Sequence, residues 1–206
     1  MKWLFPILLL INSTVYAQDE FATKDPGFET NQDDEYLDND YWHSLNSKTW
    51  FMGKRTAFIA NKTDAHSGRF AAKLVTKYII GTGVNGLATT GKLFTTPPYI
   101  NGGVPYTYRP DSITGWFKYF PQGNDSGFVE FILFNAHSDT IGYSRFWTKN
   151  RVTKNYTRFS HSIVYFSNAT PHHARWLLSS SRDAKPIENS TIYVDDLKLI
   201  FNQRKK

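Results

Sequence analysis

The sequence predicts an all-β protein, a two-sheet antiparallel β-sandwich. Three observations carry this. Apolar residues at helical spacing are almost missing, whereas runs such as 112–120 alternate with the period of two that a half-buried strand requires. Val, Ile, Thr, Phe, Tyr and Trp gather in short runs separated by Gly, Asn, Asp and Pro, the usual punctuation of strands and turns. The chain has no cysteine but holds 16 Phe, 12 Tyr and 6 Trp. Core material between two sheets is therefore ample, and stability must come from that core or from a metal rather than from disulfides.

The elements follow in chain order. Lys2, the apolar stretch from Trp3 to Ile11 and the small-residue site Val15-Tyr16-Ala17 have the layout of a secretory signal peptide, residues 1–17, with cleavage expected after Ala17. That stretch is too short to span a bilayer, and no later run is long enough. An exported chain is expected, in the periplasm or at the cell surface. Residues 18–49 are polar and turn-rich, expected to wander over the surface and to supply the first strand. Strands are expected at 50–61 and 69–78, with a turn at 64–68 between them. Residues 81–91 and 99–105 read as loops around a short strand at 92–95. Further strands are expected at 112–120, 128–135, 140–148, 156–166, 174–180 and 191–201, with a loop at 121–127 and a basic turn at 149–154. The almost wholly apolar 128–135 should be a central strand buried on both faces. Residues 50–201 make one domain of roughly nine or ten strands, followed by a basic tail, 202–206.

The formal net charge is +6, with acidic and basic residues interspersed apart from Asp33-Asp34-Glu35. No basic stripe or recognition motif stands out, so a nucleic-acid partner is not expected. A mild positive charge suits an anionic glycan or cell-surface polymer.

Six blocks occur in a recognisable order: 65–74 (Ala-His-Ser-Gly-Arg-Phe-Ala-Ala-Lys-Leu), 91–94 (Gly-Lys-Leu-Phe), 109–119 (Arg-Pro-Asp-Ser-Ile-Thr-Gly-Trp-Phe-Lys-Tyr), 156–159 (Tyr-Thr-Arg-Phe), 178–181 (Leu-Ser-Ser-Ser) and 190–197 (Ser-Thr-Ile-Tyr-Val-Asp-Asp-Leu). Over about residues 50–201 they resemble the carbohydrate metabolism domain found in exported proteins of Bacteroidetes bacteria. The early Gly27-Phe28-Glu29 and late Val194-Asp195-Asp196 likewise resemble jelly-roll sugar-binding modules. The resemblance implies a jelly roll similar to carbohydrate-binding modules, with a structural calcium between first and last strands. It also implies a setting among glycan-utilisation machinery; the expected partners are a polysaccharide and, for a lone binding domain, a glycan-degrading enzyme in trans. The segment before Trp50 departs from the family by being short of its usual tryptophans and glycines.

The acids support the calcium reading on their own chemistry. Asp195 and Asp196 interrupt an apolar strand, where acids are depleted and costly to bury. A hard cation takes about six to eight oxygens. The Gly27 carbonyl, Glu29, Asp195 and Asp196 could supply several, and the loop from His66 to Gly68 could add carbonyls. Strand alternation sends Asp195 and Asp196 to opposite faces. Asp195 shares a face with Tyr193, Leu197 and Leu199, which look core-directed, and is the favoured ligand. The alternative is that both acids bond to backbone or pair with Lys198 or Arg69.

For sugar contacts, Trp116 shares a face with Thr114 and Lys118, while Ile113, Phe117 and Tyr119 take the other. If the latter point inward, Trp116 and Lys118 form an outer platform, with Arg109 at the strand's entry and Trp176 on another strand. Trp147 and Arg175 are further candidates. Core packing is the alternative for each tryptophan. A glycoside hydrolase needs two carboxyls flanking the bond. Glu130 is a weak candidate acid, and nothing pairs it with Asp125, Asp139 or Glu188. Ser179–Ser181 lacks the nucleophile-elbow context, and the adjacent His172 and His173 do not suit zinc. The leading expectation is a non-catalytic glycan-binding module. A small hydrolase or lyase, and an adhesion protein binding another protein, are the alternatives.

Overall fold

The computed structural model describes residues 24–30, 35–182 and 185–201. The expected signal peptide, Asp33-Asp34 and the basic tail lie outside them. Among the described residues no helix is long and apolar enough to cross a membrane.

In chain order the strands begin with β1 (His43–Ser44), β2 (Ala57–Ala60) and β3 (Ala71–Val75). Next come β4 (Lys77–Ile79), β5 (Thr82–Val84), β6 (Leu87–Thr89), β7 (Lys92–Thr95), β8 (Pro98–Asn101) and β9 (Val104–Pro105). The longer ones follow: β10 (Ser112–Phe120), β11 (Phe128–Phe134), β12 (Thr140–Trp147) and β13 (Thr153–Ser162). The set closes with β14 (Val164–Tyr165), β15 (His173–Ser179) and β16 (Thr191–Ile200). Two sheets pack face to face. One has five strands in the order β13-β10-β16-β3-β2, and the other has seven, running β1-β6-β15-β11-β12-β14 with β9 beside β15. Pairing is antiparallel throughout the two sheets. The hairpins β4–β5 and β7–β8 stand apart from them.

The core confirms the period-two reading. Ile113, Phe117 and Tyr119 of β10 meet Val129, Phe131 and Leu133 of β11 in one cluster with Trp176, Leu178 and Leu197. The central strand is buried on both faces as its apolar run requires, every residue of β11 being buried.

Three expectations are corrected. Residues 50–56 are not strand: a short helix α1 (Asn46–Thr49) runs into a 3-10 turn at Trp50–Met52, and β2 starts only at Ala57. The Gly- and Thr-rich stretches read as loops contain β5, β6, β8 and β9, because backbone pairing to a neighbour decides short strands more than side-chain pattern does. The N-terminal segment is more than surface wandering: Phe28, Leu37 and Trp42 are core residues, and Phe28 packs on Trp42 with ring centroids 5.1 Å apart.

Candidate functional site

The last strand breaks its own alternation. In β16, Asp195 pairs with Trp116 and Lys198 with Thr114, so Asp196 and Leu197 together oppose the single Gly115. This β-bulge holds Asp196 at φ +50°. Beyond it, Leu197 and Leu199 point into the core, while before it Ile192 and Val194 do. Asp195 therefore does not share the core face with Leu197 and Leu199. It stands on the outer face of the five-stranded sheet with Tyr193, and the bulge turns Asp196 toward the same loop.

Three segments converge at the bulge. The Leu197 N–H donates to the Pro26 carbonyl at 3.0 Å, docking residues 25–30 on the last strand. Asp195 Oδ2 accepts from the His66 and Ser67 N–H groups at 2.8 and 3.2 Å, and its Oδ1 from the Asp196 N–H at 2.7 Å. Asp196 Oδ2 lies 2.6 Å from His66 Nδ1, and its Oδ1 accepts from Ser67 Oγ at 2.9 Å. Glu29 Oε1 accepts from the Arg69 and Phe70 N–H groups at 2.8 and 3.0 Å. Gly68, at φ +62°, is required here, since a Cβ would fall inside the Glu29 carboxylate.

Asp195 is fully buried, and that burial pushes its carboxyl up to about 6, with the neighbouring Asp196 adding to the rise and the Ser67 and His66 N–H groups opposing it. A cation would relieve the cost of ionising it. A Cβ at Gly27 would stand 3.6 Å from Asp195 Oδ1 and 3.9 Å from Asp196 Oδ1, so the first turn lies against both acids. The donor set fits a hard divalent ion at Asp195, Asp196 and the Gly27 turn. Glu29 contributes chiefly by fixing the loop after Gly68. His66, with both acids, completes a metal-capable group whose ligand atoms lie within 4.8 Å of one another. Sequence reading gave His66 only a backbone role.

The outward set of β10 is as expected, but the loop at 61–68 folds over most of it. His66 stacks on Trp116 with centroids 4.0 Å apart and 15° between planes. Lys118 is buried, donates to Asp64 Oδ1 at 3.0 Å and lies over the rings of Tyr156 and Tyr193. Tyr156 Oη donates to the Asp64 carbonyl, and burial pushes its phenol well above the ordinary range. Lys118 is thus a structural cation under a loop, which corrects its placement on an open platform. Arg109 and Trp176 are corrected too. Arg109 lies over the Tyr165 ring and donates to the Ala169 and Ser167 carbonyls at 2.6 and 2.8 Å, fixing the loop after β14. Trp176 is 0% exposed, at the centre of the core against Phe131. Glu130 accepts from Arg145 Nη2 at 2.5 Å and Nε at 2.7 Å, so the candidate acid is an ion-pair carboxylate. The acids named beside it have other work: Asp125 accepts from Ser181 Oγ and three backbone N–H groups, Asp139 from Asn135, and Glu188 from the Tyr78 N–H.

The outer face of the seven-stranded sheet is built differently. Register sets Tyr143, Ile132 and Arg175 in one row across β12, β11 and β15, then Arg145, Glu130 and Leu177, then Trp147, Phe128 and Ser179. The floor residues Phe128, Ile132, Phe134 and Leu177 are buried. Arg145 lies over Phe128, Trp147 and Tyr143 at 4.4, 5.1 and 5.8 Å. His173 stacks on Phe134 at 4.7 Å, and Arg175 lies over the same ring at 5.0 Å. Trp147 remains 42% exposed. Arg175 ties the β7–β8 hairpin to the face through the Ile100 carbonyl at 2.8 Å, yet its Nε–H is buried without a hydrogen-bond partner. Burial draws its guanidinium pKa down while Glu130 opposes this. Beyond Arg175 a cleft of about 430 Å³ opens between the segment carrying Asp40 and His43 and the hairpin residues Lys92 and Asn101. The Tyr143-x-Arg145-x-Trp147 alternation could have marked this face from sequence.

No family model and no curated protein sequence matches the chain. Among solved structures, a family 61 carbohydrate-binding module in complex with β-1,4-galactotriose aligns at a TM-score of 0.47 and 10% identity, over 88% of this chain and 98% of that one. A family 28 module described as specific for non-crystalline cellulose gives 0.46 and 9%, over 78% and 87%. An arabinose-bound family 51 α-L-arabinofuranosidase gives 0.48 and 9% over 81% of this chain, which spans only 25% of the enzyme's length.

Proposed function

We propose that this protein is an exported, non-catalytic glycan-binding module of the kind that accompanies glycan utilisation, and that it binds a polysaccharide across the outer face of its seven-stranded sheet. One observation carries the reading: a ring-lined outer face, with Arg145 over Phe128 and Arg175 over Phe134, that ends in the exposed Trp147. Pyranose rings present C–H faces to aromatic rings and hydroxyls to charged groups. An apolar floor with a few placed polar groups matches that chemistry. Ser179 and Arg175 are four residues apart on one strand, so the face runs about 13 Å from Trp147's row to Arg175's row, with the cleft beyond. Glu130 and Arg145, already paired, would offer their remaining lone pairs and N–H groups to hydroxyls. Binding needs no bond-breaking step, and a glycan-degrading enzyme would act in trans.

At the opposite face we propose a structural calcium held by Asp195, Asp196 and the Gly27 turn. When bound it supplies the positive charge that the buried carboxylate lacks. The residues around it lock the first turn and the 61–68 loop onto the last strand.

The test is a glycan-array screen of the purified chain, with calcium and with chelator. Binding to a defined polysaccharide that is lost in Trp147→Ala and Arg175→Gln, both still folded, is expected. A folded wild-type chain that binds no glycan overturns the reading and favours a protein partner. Cleavage of the bound polymer overturns the non-catalytic part.

A further inference from the structure

We infer that the chain carries a second ligand site, on the outer face of the five-stranded sheet, that accepts a pyranose bearing an oxyanion. A trough of about 460 Å³ lies there beside the bulge, lined by His66, Trp116, Thr114, Arg158, Lys198 and Asp196. It is separate from the Trp147 face and would stand or fall without it.

The trough has three parts. Its wall is the Trp116–His66 stack, in which the imidazole covers one face of the indole. Trp116 remains half-buried, and its Nε1–H makes no hydrogen bond among the described residues. Its cations come from the two strands flanking β10. Register places Arg158 beside Trp116 on β13 and Lys198 beside Thr114 on β16. Arg158 is pre-oriented: its Nε donates to Thr114 Oγ1 at 3.2 Å, and that hydroxyl donates to the Phe159 carbonyl at 2.6 Å. Neither Arg158 nor Lys198 makes an ion pair among the described residues.

One acid, Asp196, stands at the trough's end against two cations, Arg158 and Lys198. Asp196 already has both oxygens engaged, one by His66 Nδ1 and one by Ser67 Oγ. What remains outward is an aromatic surface, an indole N–H, a guanidinium fork and an ammonium. Arg binds planar oxyanions through paired N–H groups, and Lys adds a point charge. The aromatic wall adds a requirement for a ring beside the charge. Uronates and sulfated sugars share this chemistry.

The experiment is retention of the purified chain on polygalacturonate, on heparin and on neutral dextran, in low and moderate salt. Retention on at least one acidic polymer and none on dextran is expected, weakening as salt rises because exposed charges are screened. Arg158→Gln with Lys198→Gln should weaken it at least tenfold without shifting the melting temperature, since both side chains are exposed. Trp116→Leu should also weaken it. Whichever acidic polymer is retained identifies the oxyanion. Equal retention of the double glutamine variant, or no retention of folded wild-type chain on either acidic polymer, overturns the proposal.

Discussion

The two outer faces of this sandwich start from similar material and end differently. Both place a tryptophan and a cation two residues apart on a long strand, Trp116 with Lys118 on β10 and Trp147 with Arg145 on β12. Around Trp116 the chain covers its own face. The 61–68 loop lays His66 on the indole and seals Lys118 between Asp64 and two tyrosine rings. Around Trp147 the ring stays 42% exposed, Arg145 is partly exposed over three rings, and among the described residues Arg175 Nε–H has no hydrogen-bond partner. Alternation says which residues leave the core. Whether they meet solvent depends on what else the chain brings back over them.

The largest effect that could break this comparison is in the core between the faces. Trp176→Ala should cost about 3–5 kcal/mol in denaturant unfolding, as for other buried aromatic truncations. Trp147→Ala should cost far less, because its ring is 42% exposed. Similar losses for the two would mean that the Trp147 face is covered after all.

Calcium comes next. Added calcium should raise the melting temperature of the wild type, by about 2.7 kcal/mol of stabilisation when its concentration is a hundredfold above Kd. Asp195→Asn should remove that response. A calcium response that survives in Asp195→Asn would move the ion away from the bulge.

The pH response without metal is of similar size at most, and its sign is fixed by burial. The Asp195 carboxyl is raised from 3.8 to about 6, so ionising it costs more in the folded than in the unfolded chain. Its contribution to stability is fully present below about pH 4 and is lost as pH rises through about 6. In chelator the melting temperature should fall across that window by an amount equivalent to a few kcal/mol at most, and calcium should flatten the fall. Thermal melts from pH 4 to 7, with and without chelator, read this directly.

Lys118→Met should have the smallest effect. Its partner Asp64 is half exposed, so losing the pair should cost about 1 kcal/mol or less. It should leave glycan binding unchanged, whereas lost binding would return Lys118 to a ligand role.

Much of the framework was legible. The twofold period put Ile113, Phe117 and Tyr119 inward, and the apolar run 128–134 became a strand buried on both sides. The acids in β16 marked the place where the first and last segments meet. Three things were not legible, each for a physical reason. A one-residue bulge at Asp196 shifted the face of every later residue in the strand, and only the partner's register reveals it. Lys118 was sealed by a loop more than fifty positions away, which no local pattern encodes. Arg109 and Trp176 have the composition of sugar contacts, but one props a loop and the other fills the core. Conversely, Tyr143, Arg145 and Trp147 stood at the right spacing for one face, and their significance emerged once Arg175 lay across the sheet from them.

The measurement that bears most directly on the central claim is a calorimetric titration of the best array glycan into wild type, Trp147→Ala and Trp116→Ala. Binding across the seven-stranded face predicts at least a tenfold loss for Trp147→Ala with little change in melting temperature, and near-normal affinity for Trp116→Ala. Unchanged affinity in Trp147→Ala, with the loss appearing in Trp116→Ala, would contradict it and move the polysaccharide to the opposite face.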